Sequence, residues 1–223
     1  SLEEMVSIGQ KHNIPVVADL GSGSILGMDK YGIPSELPVK EIVKKKPDVT
    51  LFSGDKMLGG PQSGIILSSN EIINLIKSNS IYRTVRCDKI TIALLDDIIR
   101  SFEKNGFLKT NLSLELLTQS RKDLMITANY IVDKIPSKLI DELGIEIIES
   151  MVEAGSGSLP EKNIRSISLR FKPSKHSVNH VSDHFRRSPK PIIGYIRKES
   201  YFIDLKAVLP HQKDNIVGAI KSI

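Results

Sequence analysis

One cysteine, no tryptophan, six phenylalanines and five tyrosines are spread over 223 residues. A lone Cys87 leaves no partner for an internal disulfide, so the fold must hold without one, as suits a reducing compartment such as the cytoplasm. The shortage of aromatic rings gives no sign of a base-stacking platform for single-stranded nucleic acid. Long apolar runs are missing too. Residues 14–18 and 65–67 are typical of what is there, far below the roughly 20 residues a bilayer-spanning helix needs. No membrane partner is therefore expected. The opening SLEEMVSIGQKHN lacks the cationic and then apolar order of a secretory signal. It already reads as a helix leading into a strand, so the chain looks like an incomplete portion of a fold.

What is present suits a soluble domain with a sizeable core. Hydrophobic residues make up 40% and charged residues 26%. The formal charge of +5 permits an anionic partner without requiring one.

The amphipathic opening predicts a helix over residues 2–13. Pro15 then introduces the apolar run Val16-Val17-Ala18, closed by Asp19 and the small-residue loop Gly21-Ser22-Gly23-Ser24. Such a run between turn signals is the pattern of a fully buried, parallel-type strand. A short helix at 38–46, a strand at 48–53, the Gly/Pro-rich segment GDKMLGGPQSG and a strand at 65–67 follow. Residues 70–79 and 88–104 read as helices, the second with Ile90, Leu94, Leu95, Ile98, Ile99 and Phe102 on its inner side. Alternation of this kind predicts an α/β layer. Asn105-Gly106 is a helix stop, and a domain boundary is expected near 106–112. Beyond it, a long helical stretch at 112–135, strands at 144–149, 164–171, 192–197 and 201–205, and helices at 176–187 and 211–222 predict a small α+β domain. The turn Arg197-Lys198-Glu199-Ser200 suggests a hairpin, and GSGS at 155–158 a loop. The domains are thus read as 1–106 and 107–223.

Asp19 ends one strand and Lys56 follows another, which points both toward the crevice beyond the carboxyl ends of an open α/β sheet. A lysine amine and an acid there are what pyridoxal phosphate (PLP) requires. The amine holds the aldehyde, and the acid keeps the pyridine nitrogen protonated so that the ring accepts electrons. Spacing alone leaves coincidence open.

The wording SGDKMLGGPQSG is more specific. With ADLGSGS, YGIPSE and YRTVRCDK, and more weakly SISLRF and PIIGYIRKESYFIDL, it resembles the bacterial selenocysteine synthases, the L-seryl-tRNA(Sec) selenium transferases. The resemblance implies a PLP fold-type-I architecture, like that of aspartate aminotransferase, made of part of the large domain plus the small carboxy-terminal domain. It also implies Lys56 as Schiff-base lysine, Asp19 against the pyridine nitrogen, Asp55 and Gln62 beside the site, and Arg83 and Arg86 as ligands of the anionic selenium donor. The implied reaction replaces the hydroxyl of a seryl group on tRNA(Sec) with selenium from selenophosphate, in a cytoplasmic homo-oligomer built of dimers. Family members need an amino-terminal tRNA-binding region and the first half of the large domain as well, so the isolated chain is expected to turn over little.

Plainer readings stand beside these. Asp19 could cap the turn after its strand. Arg83 and Arg86 could be solvated charges, although two arginines three apart on a helix can face one anion. Cys87 reads as a small packed residue. Lys44-Lys45-Lys46 reads as a solvated helix end. His176, His180 and His184 would share a helix face, but no further ligand at recognised spacing supports a metal site, and none is expected. VVADLGSGS also resembles a methyltransferase opening, yet Ile25 occupies the third glycine position; GDKMLGGPQSG lacks the Gly-Lys-Ser/Thr of a phosphate loop. A related PLP lyase acting on a small amino acid or amino sugar, and a catalytically inactive fragment, remain as alternatives.

Overall fold

The computed structural model describes residues 1–33, 37–104, 107–153 and 164–223. Asn105-Gly106 and the GSGS at 155–158 lie outside them. The chain forms two compact units, one holding Ser1–Thr118 and the other Gln119–Val152 with Asn163–Ile223. The boundary expected at 106–112 compares with a changeover between Thr118 and Gln119.

In the first unit, α1 (Leu2–His12) starts at a capping box in which Ser1 and Glu4 exchange side-chain and backbone bonds. It stops where Asn13 turns left-handed at φ 55°. β1 (Val17–Asp19) and, after α2 (Val39–Lys44), β2 (Val49–Ser53) run parallel, with Asp19 opposite Leu51. β3 (Gly64–Ser68) pairs antiparallel to β2, so the sheet is mixed, in the order β1-β2-β3. The expectation of a fully buried β1 is not met: Val17 and Asp19 are exposed, and one face of the strand is bare. Three helices follow: α3 (Asn70–Ser78), α4 (Ser80–Val85) and α5 (Lys89–Ser101). None of them buries a residue completely. The inner side expected for α5 is corrected accordingly, since Ile90, Leu94 and Ile99 face solvent.

The helical stretch predicted at 112–135 is divided in two. α6 (Phe107–Thr110) and α7 (Leu112–Thr118) precede a fresh start, where Ser120 and Asp123 form a second capping box for α8 (Arg121–Val132). The hydrophobic period runs through this break, and the reciprocal hydrogen bonds of Ser120 stop it.

In the second unit α9 (Ser137–Leu143), absent from the sequence reading, leads through Gly144 into β4 (Ile145–Val152). β5 (Ile164–Phe171), α10 (Val178–Arg187), β6 (Tyr195–Arg197), β7 (Ser200–Asp204) and α11 (Lys213–Lys221) complete it. The antiparallel sheet has the order β4-β5-β7-β6. The expected hairpin is present: Arg197 pairs with Ser200, and Lys198 and Glu199 both have positive φ, as a two-residue type I′ turn demands. The core joins Leu124, Ala128 and Ile131 of α8 to Ile167, Leu169 and Phe171 of β5, with Val181 and Phe185 of α10 and Ile216 and Ile220 of α11.

Candidate active site

Parallel pairing in register brings the carboxyl ends of β1 and β2 to one edge of the sheet. After Asp19 the chain bends immediately. Leu20 N–H donates to Leu51 O at 2.9 Å, and Gly21 takes φ 56°. The loop is then bonded to the one that follows β2: Ser53 N–H donates to Gly21 O at 3.3 Å, and Met57 N–H to Ser22 O at 3.2 Å. The turn carrying Asp19 and the turn carrying Lys56 are thus stitched together by their own backbones.

The Lys56 turn is anchored on its far side. Gly59 N–H donates to Lys56 O at 2.9 Å, while Met57 and Leu58 are buried beneath. Gly59 has φ 74°, and a Cβ there would lie 2.5 Å from Asn111 Nδ2, so backbone conformation and space both demand glycine. Asn111, itself buried, donates from Nδ2 to Leu58 O at 2.8 Å and accepts at Oδ1 from Leu114 N–H at 3.1 Å. Sequence reasoning missed this residue. As an asparagine just before the apolar LSLELL it carries a helix-cap signal, but nothing local announces a bond to a carbonyl 53 residues away.

Each candidate residue has a definite place. Lys56 is half-buried. Asp55, beside it, and Gln62, on the approach to β3, are exposed. Asp19 is exposed and does cap its turn, accepting Gly21 N–H at Oδ1 (3.1 Å). Its Oδ2 has no hydrogen-bond partner among the described residues. A Cβ built on Gly21 would meet nothing within 4 Å, so the space beside that carboxylate is open.

Arg83 and Arg86 differ from expectation in their geometry. Arg83 lies in α4, but Arg86 has left the helix at ψ 140°, so the two are not consecutive turns of one face. Both are exposed and line a groove of about 1210 Å³ walled by Leu75, Ile81, Tyr82 and Ile92, with half-buried Cys87 beside them. Neither Asp19 nor Lys56 lines this groove. At its edge Asp88 caps α5; the N–H of Thr91, and then that of Ile90, hold its carboxyl below the ordinary range.

The second unit has polar clusters of its own. Asp204 accepts from Ser150, Ser166 and Ser168 at 2.6–2.8 Å, which satisfies hydroxyls buried in the sheet. Lys206 is buried and donates to Gln119 O at 3.0 Å; burial pushes its ammonium down, against the pull of the Asp204 charge. His176 precedes α10 rather than sharing its face, and its ring stacks on His180 with centroids 5.0 Å apart. Among the described residues no cluster of three or more His, Cys, Asp or Glu could hold a metal ion, and no helix is long and apolar enough to cross a membrane.

Comparison with known proteins gives this geometry a context. The SelA family model, described as L-seryl-tRNA selenium transferase, matches residues 1–209. The L-seryl-tRNA(Sec) selenium transferase of Desulfotalea psychrophila is 34% identical over 99% of this chain and 47% of its own length. That of Haemophilus influenzae is 35% identical over 93% of the chain and 46% of its length. The Alkaliphilus oremlandii protein of the same name is 32% identical over the whole chain and 48% of its length. The chain therefore spans about half the length of the curated relatives it matches. Among solved structures, D-glucosaminate-6-phosphate ammonia-lyase superposes over 100% of this chain and 52% of its own, with TM-score 0.60 at 15% identity. The architecture is that of PLP fold-type-I enzymes, in part.

Proposed function

This chain belongs to the L-seryl-tRNA selenium transferase family, and from that membership we propose that it carries the lysine half of a site converting seryl-tRNA(Sec) to selenocysteinyl-tRNA(Sec). Selenophosphate as donor, tRNA(Sec) as carrier, assembly from dimers and a cytoplasmic setting belong to the proposal.

Pyridoxal phosphate is the family's cofactor, and when bound it supplies an electron sink for charge developing at the substrate α-carbon. The residues present fit it. A carboxylate and a primary amine follow the carboxyl ends of adjacent parallel strands, and a Cβ at Gly21 would meet nothing within 4 Å. Lys56 is the amine that holds the aldehyde. Asp19 Oδ2, left free by the turn, is the oxygen that keeps a proton on the ring nitrogen. With the cofactor in place, Lys56 would be the base that takes the proton from the substrate α-carbon and the acid that returns one to the departing hydroxyl. Asp55 and Gln62 would lie beside the site. Arg83 and Arg86 neutralise the selenium donor, their guanidinium forks matching its oxygens.

One observation carries the reading: the Met57 N–H to Ser22 O bond, which ties the acid-bearing turn to the amine-bearing turn. The test is transfer of selenium from selenophosphate to radiolabelled seryl-tRNA(Sec) by the enzyme containing this chain. Lys56→Ala should lower the rate by at least about 100-fold, the lower range for losing a positioned acid–base group, while seryl-tRNA still binds. Undiminished turnover in that variant would refute the assignment.

A further inference from the structure

Charge in this chain is concentrated in one place. Residues 172–199 hold seven Lys and Arg against Asp183 and Glu199, a net +5, while the other residues hold 24 of each sign. The whole formal excess thus lies in one segment of the second unit. All seven cationic side chains are exposed. The fold gathers them around a single helix, because the segment runs from the end of β5 through α10, and α10 packs on β6 and β7, whose turn presents Arg197 and Lys198.

These charges are largely unneutralised. Lys175 pairs with Glu142 at 2.6 Å; among the described residues none of the other six has a carboxylate at ion-pair distance. A groove of about 390 Å³ runs beside α10, lined by His180, His184 and Arg187, with Asp183 and Ser222. His184 Nε2 lies 2.9 Å from Ala219 O, which can only accept, so that nitrogen carries the proton and the ring is fixed at the end of α11. The stacked rings of His176 and His180 extend the same surface as exposed, flat groups.

We propose that this basic face around α10 binds the phosphodiester backbone of RNA. Its chemistry is that of backbone contact: several unpaired cations on one segment, with Arg187 and the imidazoles of His180 and His184 lining its groove. A lipid surface fits α10 less well, because its apolar side, Val181 and Phe185, is wholly buried; the exposed Ile193, Tyr195 and Ile196 of the same segment are why vesicle binding is one of the outcomes the test reads. Which RNA binds rests on the reading above, where the substrate is an aminoacyl-tRNA. The surface itself is argued without Lys56.

The test is tRNA binding to this chain by fluorescence anisotropy across a series of KCl concentrations. Arg186→Glu, Arg187→Glu and Lys190→Glu are combined in one variant, and Lys77→Glu, Lys104→Glu and Lys109→Glu, on the first unit, in another of equal net charge. Far-UV circular dichroism checks that both are folded. The α10 variant should bind at least about 10-fold more weakly, with a salt slope shallower by about 2, as expected for losing three phosphate contacts. The control should stay within about 2-fold of the parent. Equal weakening by both variants, no weakening by either, or tighter binding to polyglutamate or phosphatidylserine vesicles than to tRNA would overturn the proposal. Its failure is separable from that of the activity, since cofactor attachment at Lys56 does not involve α10.

Discussion

Asn111 holds the loop behind Lys56 with both ends of its amide, joining Leu58 O to the first turn of α7. Replacing it with alanine leaves a buried carbonyl unpaired, which costs about 1–3 kcal/mol. Urea unfolding should show a loss of that size for Asn111→Ala, and cofactor attachment at Lys56 should weaken with it. Asn111→Asp separates the roles, since it keeps an acceptor for Leu114 N–H and loses the donor to Leu58. An alanine variant as stable as the parent would show that the loop holds itself. The contrast with Lys56 explains which candidate residues the sequence could point to. Asp19 and Lys56 stand where an apolar run gives way to small residues, a pattern written in consecutive letters. Asn111 acts across 53 positions, and nothing local encodes that bond. Arg83 and Arg86 lie between these cases, recognisable as a pair but placed by a helix end that their spacing does not reveal.

Between elements, side-chain chemistry overrules period. Most helices and strands were readable from apolar spacing, including the β6–β7 hairpin and its turn. The 112–135 stretch is helical as read, but its division does not show in the apolar spacing, because capping bonds between Ser120 and Asp123 end one helix and begin another. α5 was over-read, because a stripe of isoleucine and leucine shows capacity for burial and not a partner that provides it. The α8–α11 contact offers a pH test. Hydrogen bonds from Lys134 and then Tyr130 hold the Asp214 carboxyl below its ordinary range. A depressed folded value means that the stabilisation is complete above the unfolded carboxylate range and is lost as pH falls through the folded value. Asp214→Asn should therefore be less stable than the parent at neutral pH, and the gap between the two denaturation midpoints should close on acidification. A gap that is constant with pH would remove the carboxylate from the account.

Across the whole molecule, the two units differ in how well they close their apolar surface. The second has a continuous core from α8 through β5 to α11. The first leaves Leu75, Ile81, Val85 and Ile90 exposed, the last two at 69% and 73%. Exposed apolar side chains in such number favour association. The isolated chain should self-associate with rising concentration, and Ile81→Lys with Val85→Lys and Ile90→Lys should suppress this in light scattering without altering circular dichroism. Equal masses for parent and variant at every concentration would contradict it. This face also explains why the predicted burial of α5 failed, since apolar letters record what a surface can pack against.

The central claim is that Lys56 is the amine that meets the cofactor, opposite the carboxylate of Asp19. The direct measurement is to load the protein with pyridoxal phosphate, reduce it with borohydride, digest it and find by mass spectrometry which lysine carries the added mass. The label is expected on the peptide containing Lys56, reduced in Asp19→Asn and absent in Lys56→Ala. Label spread over surface lysines, or persisting at full yield in Lys56→Ala, would contradict the account.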